Sequence, residues 1–141
     1  MKRCGQCSVC CKILAVKELD KKALEPCIYA KKASLPCQIY PSRPSSCQQF
    51  NCYWLYGELP NKARPDKSGV LLQKFTLKAL DMPFMMVHEV WKGAAKRSDI
   101  VSSFSTYLPV VVISDDGSAE IICHNKLFIP HLQKMAEHLK Q

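Results

Sequence analysis

Eight of the nine cysteines in this 141-residue chain lie before residue 53. The first four form a tight run, Cys4-x2-Cys7-x2-Cys10-Cys11, and the other four follow at longer spacings. Two-residue spacing lets two sulfurs from one turn reach the same metal ion, because zinc–sulfur bonds are only about 2.3 Å long. We therefore expect a metal–thiolate centre with these ligands: Cys4, Cys7, Cys10, Cys11, Cys27, Cys37, Cys47 and Cys52.

The adjacent pair Cys10 and Cys11 indicates more than one metal ion, since neighbouring side chains cannot easily point the same way. Four plus four thiols could form two tetrahedral sites or one polynuclear centre. The spacing does not say which sulfurs share an ion. In either arrangement the second set of cysteines must fold back onto the first.

All-thiolate coordination suits zinc, iron–sulfur clusters or copper(I), and we expect zinc ahead of iron. A ferredoxin-type run would need another cysteine where this chain has Leu14, so that pattern is incomplete. Closed coordination by cysteine leaves no position for a substrate, which favours a mainly structural metal over catalysis. The alternative function is an iron–sulfur redox protein or oxidoreductase, although these residues specify no reaction. Disulfides and unligated buried thiols are further alternatives.

The cysteine pattern also resembles a known family. The residues that carry the resemblance are Cys4 to Cys11, then Cys37-Gln38-Ile39-Tyr40-Pro41-Ser42-Arg43-Pro44-Ser45-Ser46-Cys47, and then Phe50-Asn51-Cys52-Tyr53-Trp54. They are similar to the YkgJ-type cysteine-cluster family, whose members carry a CxxCxxCC motif and are described as zinc- or iron-chelating domains. The similarity covers about residues 4–70. It implies metal binding by the eight cysteines and does not imply a settled reaction.

A few other side chains bear on the centre. Arg43 lies between two expected ligands, where its guanidinium could donate to thiolates without touching the metal. A surface arginine in a turn is the alternative. We expect aromatic residues to form a hydrophobic sleeve over the centre, and these are Tyr40, Phe50, Tyr53 and Trp54. Cys123 is expected in the core, and none of the four histidines has the spacing of a metal site.

The formal net charge of +8 raises the question of nucleic-acid binding. Ligand cysteines bind as thiolates, and eight thiolates with two divalent ions would reduce that charge to about +4. The lysines are scattered, so a nucleic-acid partner has little support beside metal ions, and no protein partner is indicated. No apolar stretch is long enough to span a membrane, and the first residues lack a secretory signal. We expect a cytoplasmic protein whose thiols stay reduced.

The chain divides near residue 67 into a cysteine-cluster region (1–67) and an α+β region (68–141), expected to form one compact unit. The first region is rich in proline and should be mostly loop, with short helices over 16–25 and around 47–55. Its apolar residues are too dispersed to offset the backbone entropy of ordering it, about 1–2 kcal/mol per residue. Metal binding can supply that free energy.

The second region has regular periodicity. The predicted strands cover residues 70–77, 84–91, 109–113 and 118–124. Asp115-Asp116-Gly117 is a hairpin turn, and helices are predicted over 93–106 and from Pro130. The order β-β-α-β-β-α, with hairpins rather than crossovers, predicts an α+β fold. In it, a loop-dominated metal-binding half packs on a small antiparallel sheet whose helices lie on one face.

Overall fold

The computed structural model describes residues 2–30 and 37–139, with side chains through residue 138. The strands are β1 (Val70–Leu77), β2 (Met82–Glu89), β3 (Val110–Ile113) and β4 (Ala119–Ile122). The α-helices are α1 (Val9–Ile13), α2 (Ser45–Gln49), α3 (Tyr53–Tyr56), α4 (Pro65–Ser68), α5 (Ala94–Arg97), α6 (Asp99–Ser105) and α7 (Ile129–Leu139). The α+β class is confirmed. No helix in the described residues is long and apolar enough to cross a membrane.

β1 and β2 form an antiparallel hairpin, with Val70 opposite Glu89 and Leu77 opposite Met82. A 3-10 turn over Lys78–Leu80 and the left-handed Asp81 (φ 48°) reverse the chain. β1 has its predicted bounds. β2 begins and ends two residues earlier than predicted, because the reversal is complete at Asp81.

β2 and β3 are parallel, with Met85 opposite Val110 and His88 opposite Ile113. The sheet, in the order β1-β2-β3-β4, is therefore mixed. The predictions of an antiparallel sheet and of hairpins without crossovers are wrong, since α5 and α6 form a crossover between β2 and β3. The reason lies in the composition of the two central strands, which are continuous apolar runs rather than alternating ones. Such runs are typical of parallel strands buried on both faces.

Helices cover both faces of the sheet, so the prediction of helices on one face is also wrong. On one face, Val87 packs in a core with Phe104 of α6. On the other face, Met86 packs with Leu132 of α7, and the side chain of Leu132 is completely buried. Because successive strand residues point to opposite faces, two adjacent apolar residues require a cover on each side.

The crossover consists of α5 and α6 rather than the single helix predicted over 93–106. Ser98 separates the two: it is extended, and its hydroxyl accepts a hydrogen bond from the backbone N–H of Val101 (3.2 Å) as the N-cap of α6. Glu89 is only 8% exposed, and its carboxylate accepts a hydrogen bond from the backbone N–H of Ala95 (2.9 Å). These two polar groups fix where each short helix begins.

The hairpin between β3 and β4 is confirmed. Its turn contains Gly117 (φ 86°), and the Asp116 carboxylate accepts hydrogen bonds from the backbone and hydroxyl of Ser118. β4 is shorter than the predicted strand. The terminal helix has Pro130 in its first turn, as predicted.

The first region is mostly loop, and its described helices have five residues or fewer. The prediction of a helix over 16–25 is wrong. A 3-10 turn covers Lys17–Leu19, and Asp20 and Leu24 adopt left-handed conformations (φ 50° and 67°) that no right-handed helix contains. The helix predicted around 47–55 is divided into α2 and α3.

Leu71 of β1 joins the two regions. It is 1% exposed and packs in one cluster with Ile13 of α1 and with Trp54 and Leu55 of α3. The predicted division after residue 67 falls inside α4. The cysteine region is therefore docked on the sheet beside β1.

Candidate metal centre

The eight cysteines singled out in the sequence line a single cavity of about 760 Å³ in the first region. They are Cys4, Cys7, Cys10, Cys11, Cys27, Cys37, Cys47 and Cys52. The ninth, Cys123, is not among the lining residues. It is half-buried against the cluster of core residues under α7, and its thiol donates to the carbonyl of Asn125 (3.2 Å).

The first two cysteines sit on a tight turn. The backbone N–H of Cys7 donates to the carbonyl of Cys4 (3.0 Å), and Gly5 between them has φ +60°. A Cβ on Gly5 would lie 3.2 Å from Nη1 of Arg64, so a larger residue would be both strained and crowded. The turn brings Cys4 and Cys7 to the same wall of the cavity.

α1 carries Cys10 and Cys11. Val9 and Ile13 anchor this helix in the core, and successive side chains project about 100° apart around a helix axis. The interaction between the neighbouring Cys10 and Cys11 thiols lowers the pKa of Cys11 to about 7 and raises that of Cys10 well above its ordinary value. The lowered pKa favours a thiolate at Cys11.

Two hydrogen bonds bring the later cysteines to the first set. The backbone N–H of Cys27 donates to the carbonyl of Cys11 (3.1 Å). The N–H of Gln38 donates to the carbonyl of Tyr29 (3.0 Å), which ties the segment that carries Cys37 to the one that carries Cys27.

Cys47 and Cys52 come from α2 and from the link to α3. The hydroxyl of Ser46, beside Cys47, donates to the carboxylate of Glu18 (2.6 Å) in the 3-10 turn. Cys52 is 7% exposed and packs in the same apolar cluster as Cys4 and Cys7. All of the later cysteines therefore reach the cavity through contacts distant in sequence.

Burial raises the pKa of five of these thiols above the ordinary value, namely Cys4, Cys7, Cys37, Cys47 and Cys52. In three cases a backbone N–H two or three residues further on opposes that effect. The pairs are Val9 with Cys7, Ile39 with Cys37, and Leu55 with Cys52. Donors of this kind stabilise thiolate sulfur, so they offset part of the effect of burial on these thiols.

Arg43 lines the cavity. Its positive charge opposes the effect of burial on the pKa of Cys4 and Cys37, and it contributes to the lowered pKa of Cys11. Its guanidinium carbon lies 3.8 Å from the centre of the Tyr40 ring, and its Nε donates to the Tyr40 carbonyl (3.0 Å). This stacking fixes the guanidinium of Arg43 near the thiols. Among the described residues, no carboxylate pairs with it.

Two further cations beside the thiols were missed in the sequence. Lys21 is 8% exposed, and its ammonium donates to the carbonyls of Leu14 and Lys22 while its charge favours thiolate at Cys11. Arg64 pairs with Asp66 through two hydrogen bonds and also lowers the pKa of Cys4. Neither has a sequence signal, because the short polar segments that contain them are indistinguishable from surface loops.

The expected aromatic sleeve is present in part. Tyr40, Phe50 and Trp54 line the cavity, and the indole N–H of Trp54 donates to the carbonyl of Pro60 (3.0 Å). Tyr53 does not line it: its ring packs edge-on against Phe104, 5.5 Å away between centres. The prediction for Tyr53 is wrong because its helix turns that side chain toward the sheet.

The donor set is chemically uniform. No histidine or carboxylate is among the described residues that line the cavity, and its thiols are donors of the kind that suits zinc, copper(I) or iron–sulfur clusters. In the part of the chain that the structure describes, no three Cys, His, Asp or Glu side chains are already gathered as one ligand group. A comparison with protein-family models, with curated proteins and with solved structures finds no match in any of the three.

Proposed function

We propose that this chain is a metal-binding protein that chelates zinc through eight cysteine thiolates, with the metal in a mainly structural role. One observation carries the proposal. The eight cysteines come from four separate segments, yet they line one cavity, while the ninth lies elsewhere. Thiols that served only as small apolar core residues would have no reason to converge in this way.

The surroundings of the thiols support the same proposal. Three cations act on them, and one of these, Arg64, is itself paired with Asp66. A zinc ion with four thiolates carries a net charge of −2, which the cations Lys21 and Arg43 would offset in part.

The weak local structure of the first region explains why a metal would be needed there. Its helices of four or five residues are too short to be stable alone, since even helices of about 12 residues are marginal in water. Metal ligation can contribute on the order of 10 kcal/mol to the folding of a small domain. The resemblance to the YkgJ-type family implies the same ligands and the same kind of centre.

Elemental analysis of the reduced protein, purified without added metal, tests this function. We expect about two zinc ions per chain, because four thiolates satisfy each ion. Cys123→Ser is the matched control and should retain the same zinc content. A fully folded protein with less than about one ion per chain would contradict the proposal.

The size of the cavity favours one second candidate, an iron–sulfur redox protein. A volume of about 760 Å³ is in the range of ligand pockets and exceeds what bare zinc ions occupy. A polynuclear cluster with bridging sulfide would fill more of it, and Cys4, Cys7 and Cys10 match the start of a ferredoxin run. Anaerobic purification followed by a visible spectrum and a sulfide assay separates the two. A colourless protein with stoichiometric zinc and no acid-labile sulfide excludes this candidate.

A further inference from the structure

We infer that the eight cysteines divide into two four-thiol sites, each of which binds its own metal ion. The core-facing site consists of Cys4, Cys7, Cys10 and Cys52. The loop site consists of Cys11, Cys27, Cys37 and Cys47. This division rests on the proposed metal binding and adds which sulfurs share an ion.

The core-facing site is built on the apolar cluster beside β1. Cys4, Cys7 and Cys52 all pack in that cluster, together with Trp54. The N-terminal segment is held there by a hydrogen bond from the backbone N–H of Lys2 to the carbonyl of Leu55 (3.1 Å).

The ammonium of Lys2 strengthens the same attachment. It donates to the carbonyls of Trp54 (3.3 Å) and Gly57 (3.1 Å), and it lies 5.1 Å from the centre of the Trp54 ring. The turn of Cys4 and Cys7 is thereby fixed against the segment that begins at Cys52.

The loop site is assembled from the segments on the other side of α1. The hydrogen bond between Cys27 and Cys11 joins two of its members directly. The N–H of Gln38 donates to the carbonyl of Tyr29 (3.0 Å), which ties the segment of Cys37 to that of Cys27. The hydroxyl of Ser46, beside Cys47, donates to Glu18 (2.6 Å) in the turn between Cys11 and Cys27.

α1 is the border between the two sites. Cys10 and Cys11 lie on adjacent directions of a helix whose anchored residues, Val9 and Ile13, fix its rotation. Because Cys11 is tied to Cys27 by a backbone hydrogen bond, Cys10, which projects about 100° away around the helix axis, completes the core-facing group.

The cations are divided in the same way. Arg64 acts on Cys4 and lies near Cys7, on the core-facing side. Lys21 lies near Cys11 and Cys27, on the loop side. Arg43 acts on members of both groups, which places it between them. Arg64 is itself paired with Asp66, so Lys21 and Arg43 supply the charge that remains for the thiolates.

The wild-type protein, loaded with zinc, provides the first test. A zinc chelator is added in increasing amounts, freed thiols are alkylated with iodoacetamide, and intact mass is measured. Apart from the label on Cys123, which no metal protects, molecules with four labels should accumulate before molecules with eight. Tandem mass spectrometry of that species should find the labels on one complete group, including one but not both of the adjacent Cys10 and Cys11. Four labels spread over both groups, or no step at four, would overturn the division.

Paired substitutions provide the second test. Cys4→Ser with Cys52→Ser removes two ligands from one site, and should reduce zinc from about two ions to about one. Cys52→Ser with Cys27→Ser removes one ligand from each site and should leave less than one tightly held ion. Equal losses in the two double variants would contradict the division.

The two possible failures are distinguishable. If wild-type protein binds no metal, the proposed function itself fails. If it binds metal but the label pattern or the paired variants do not separate the two groups, only the division fails. The alkylation experiment on wild type needs no folded variant, so a variant that misfolds does not remove the test.

Discussion

The buried ammonium of Lys21 offers a sharp test of how the loops around the cavity are held. Its Nζ donates to the carbonyls of Leu14 and Lys22 (3.2 Å) and lies 3.5 Å from that of Lys12. Lys21→Met keeps the volume and the apolar stem of the side chain and removes only the donor. The neighbouring Lys22 is exposed, so Lys22→Met is a matched control with the same change of charge.

The expected magnitude follows from the lost donors. A hydrogen bond to a charged group contributes about 1.5–3 kcal/mol, and Lys21 makes two close ones. Its burial, which lowers the pKa of Lys21, shows that part of this gain is offset by desolvation. We expect Lys21→Met to lower the free energy of unfolding by about 2–3 kcal/mol. Lys22→Met should change it by less than about 0.5 kcal/mol.

Urea unfolding of the zinc-loaded, reduced proteins measures this difference. With a urea dependence of about 1–3 kcal/mol per molar, the midpoint for Lys21→Met should fall by roughly 1 M relative to wild type. Fluorescence of Trp54, which is buried in the first region, reports on the loops concerned. If the Lys21 and Lys22 variants unfold together, the ammonium does not hold these carbonyls, and the account of Lys21 is wrong.

Three further predictions concern the sheet region. His88 is half-buried, its Nε2 lies 3.0 Å from Oε1 of Gln73, and desolvation lowers its pKa to about 4. Between pH 6.5 and 4, His88 therefore binds a proton in the unfolded state and not in the folded state. Stability should fall by roughly 3 kcal/mol as the pH drops through that window, and His88→Gln should remove this part of the pH dependence in urea titrations. Gly69→Ala should cost more than about 2 kcal/mol, because φ is +80° and the new Cβ would lie 2.5 Å from the Trp91 ring. Gly117→Ala has a similar φ (+86°) but only an ordinary contact at 3.7 Å, so equal losses in thermal unfolding would contradict the steric argument. Ser98→Ala should cost about 1 kcal/mol through loss of the helix cap, whereas Ser98→Asp should retain most of the stability.

Locally encoded features of the fold were predictable. β1 follows from a run of strand-forming residues, and the β3–β4 hairpin follows from Asp116 and Gly117, whose conformations the turn requires. The start of α7 follows from Pro130, which suits a first helical turn. In each case the interactions that decide the structure lie within a few residues.

Features decided by distant contacts were not predicted correctly. The parallel pairing of β2 and β3 depends on both faces finding a helical cover, although the apolar runs at Met85 and Val110 carried that signal. The helix expected over 16–25 is absent because Lys21 is drawn inward to bind carbonyls, with Asp20 and Leu24 left-handed on either side. Helix propensity alone contains no information about such a contact.

The sequence by itself determined which reactive groups this chain offers, because eight cysteines concentrated before residue 53 supply thiols whatever the fold. Only the tertiary structure decided that these cysteines line one cavity, that Cys123 stays apart, and that Lys21 and Arg64 stand beside them. The physical reason is that thiol identity is a property of each residue. The proximity of sulfurs and cations is set by packing between segments that are distant in the sequence.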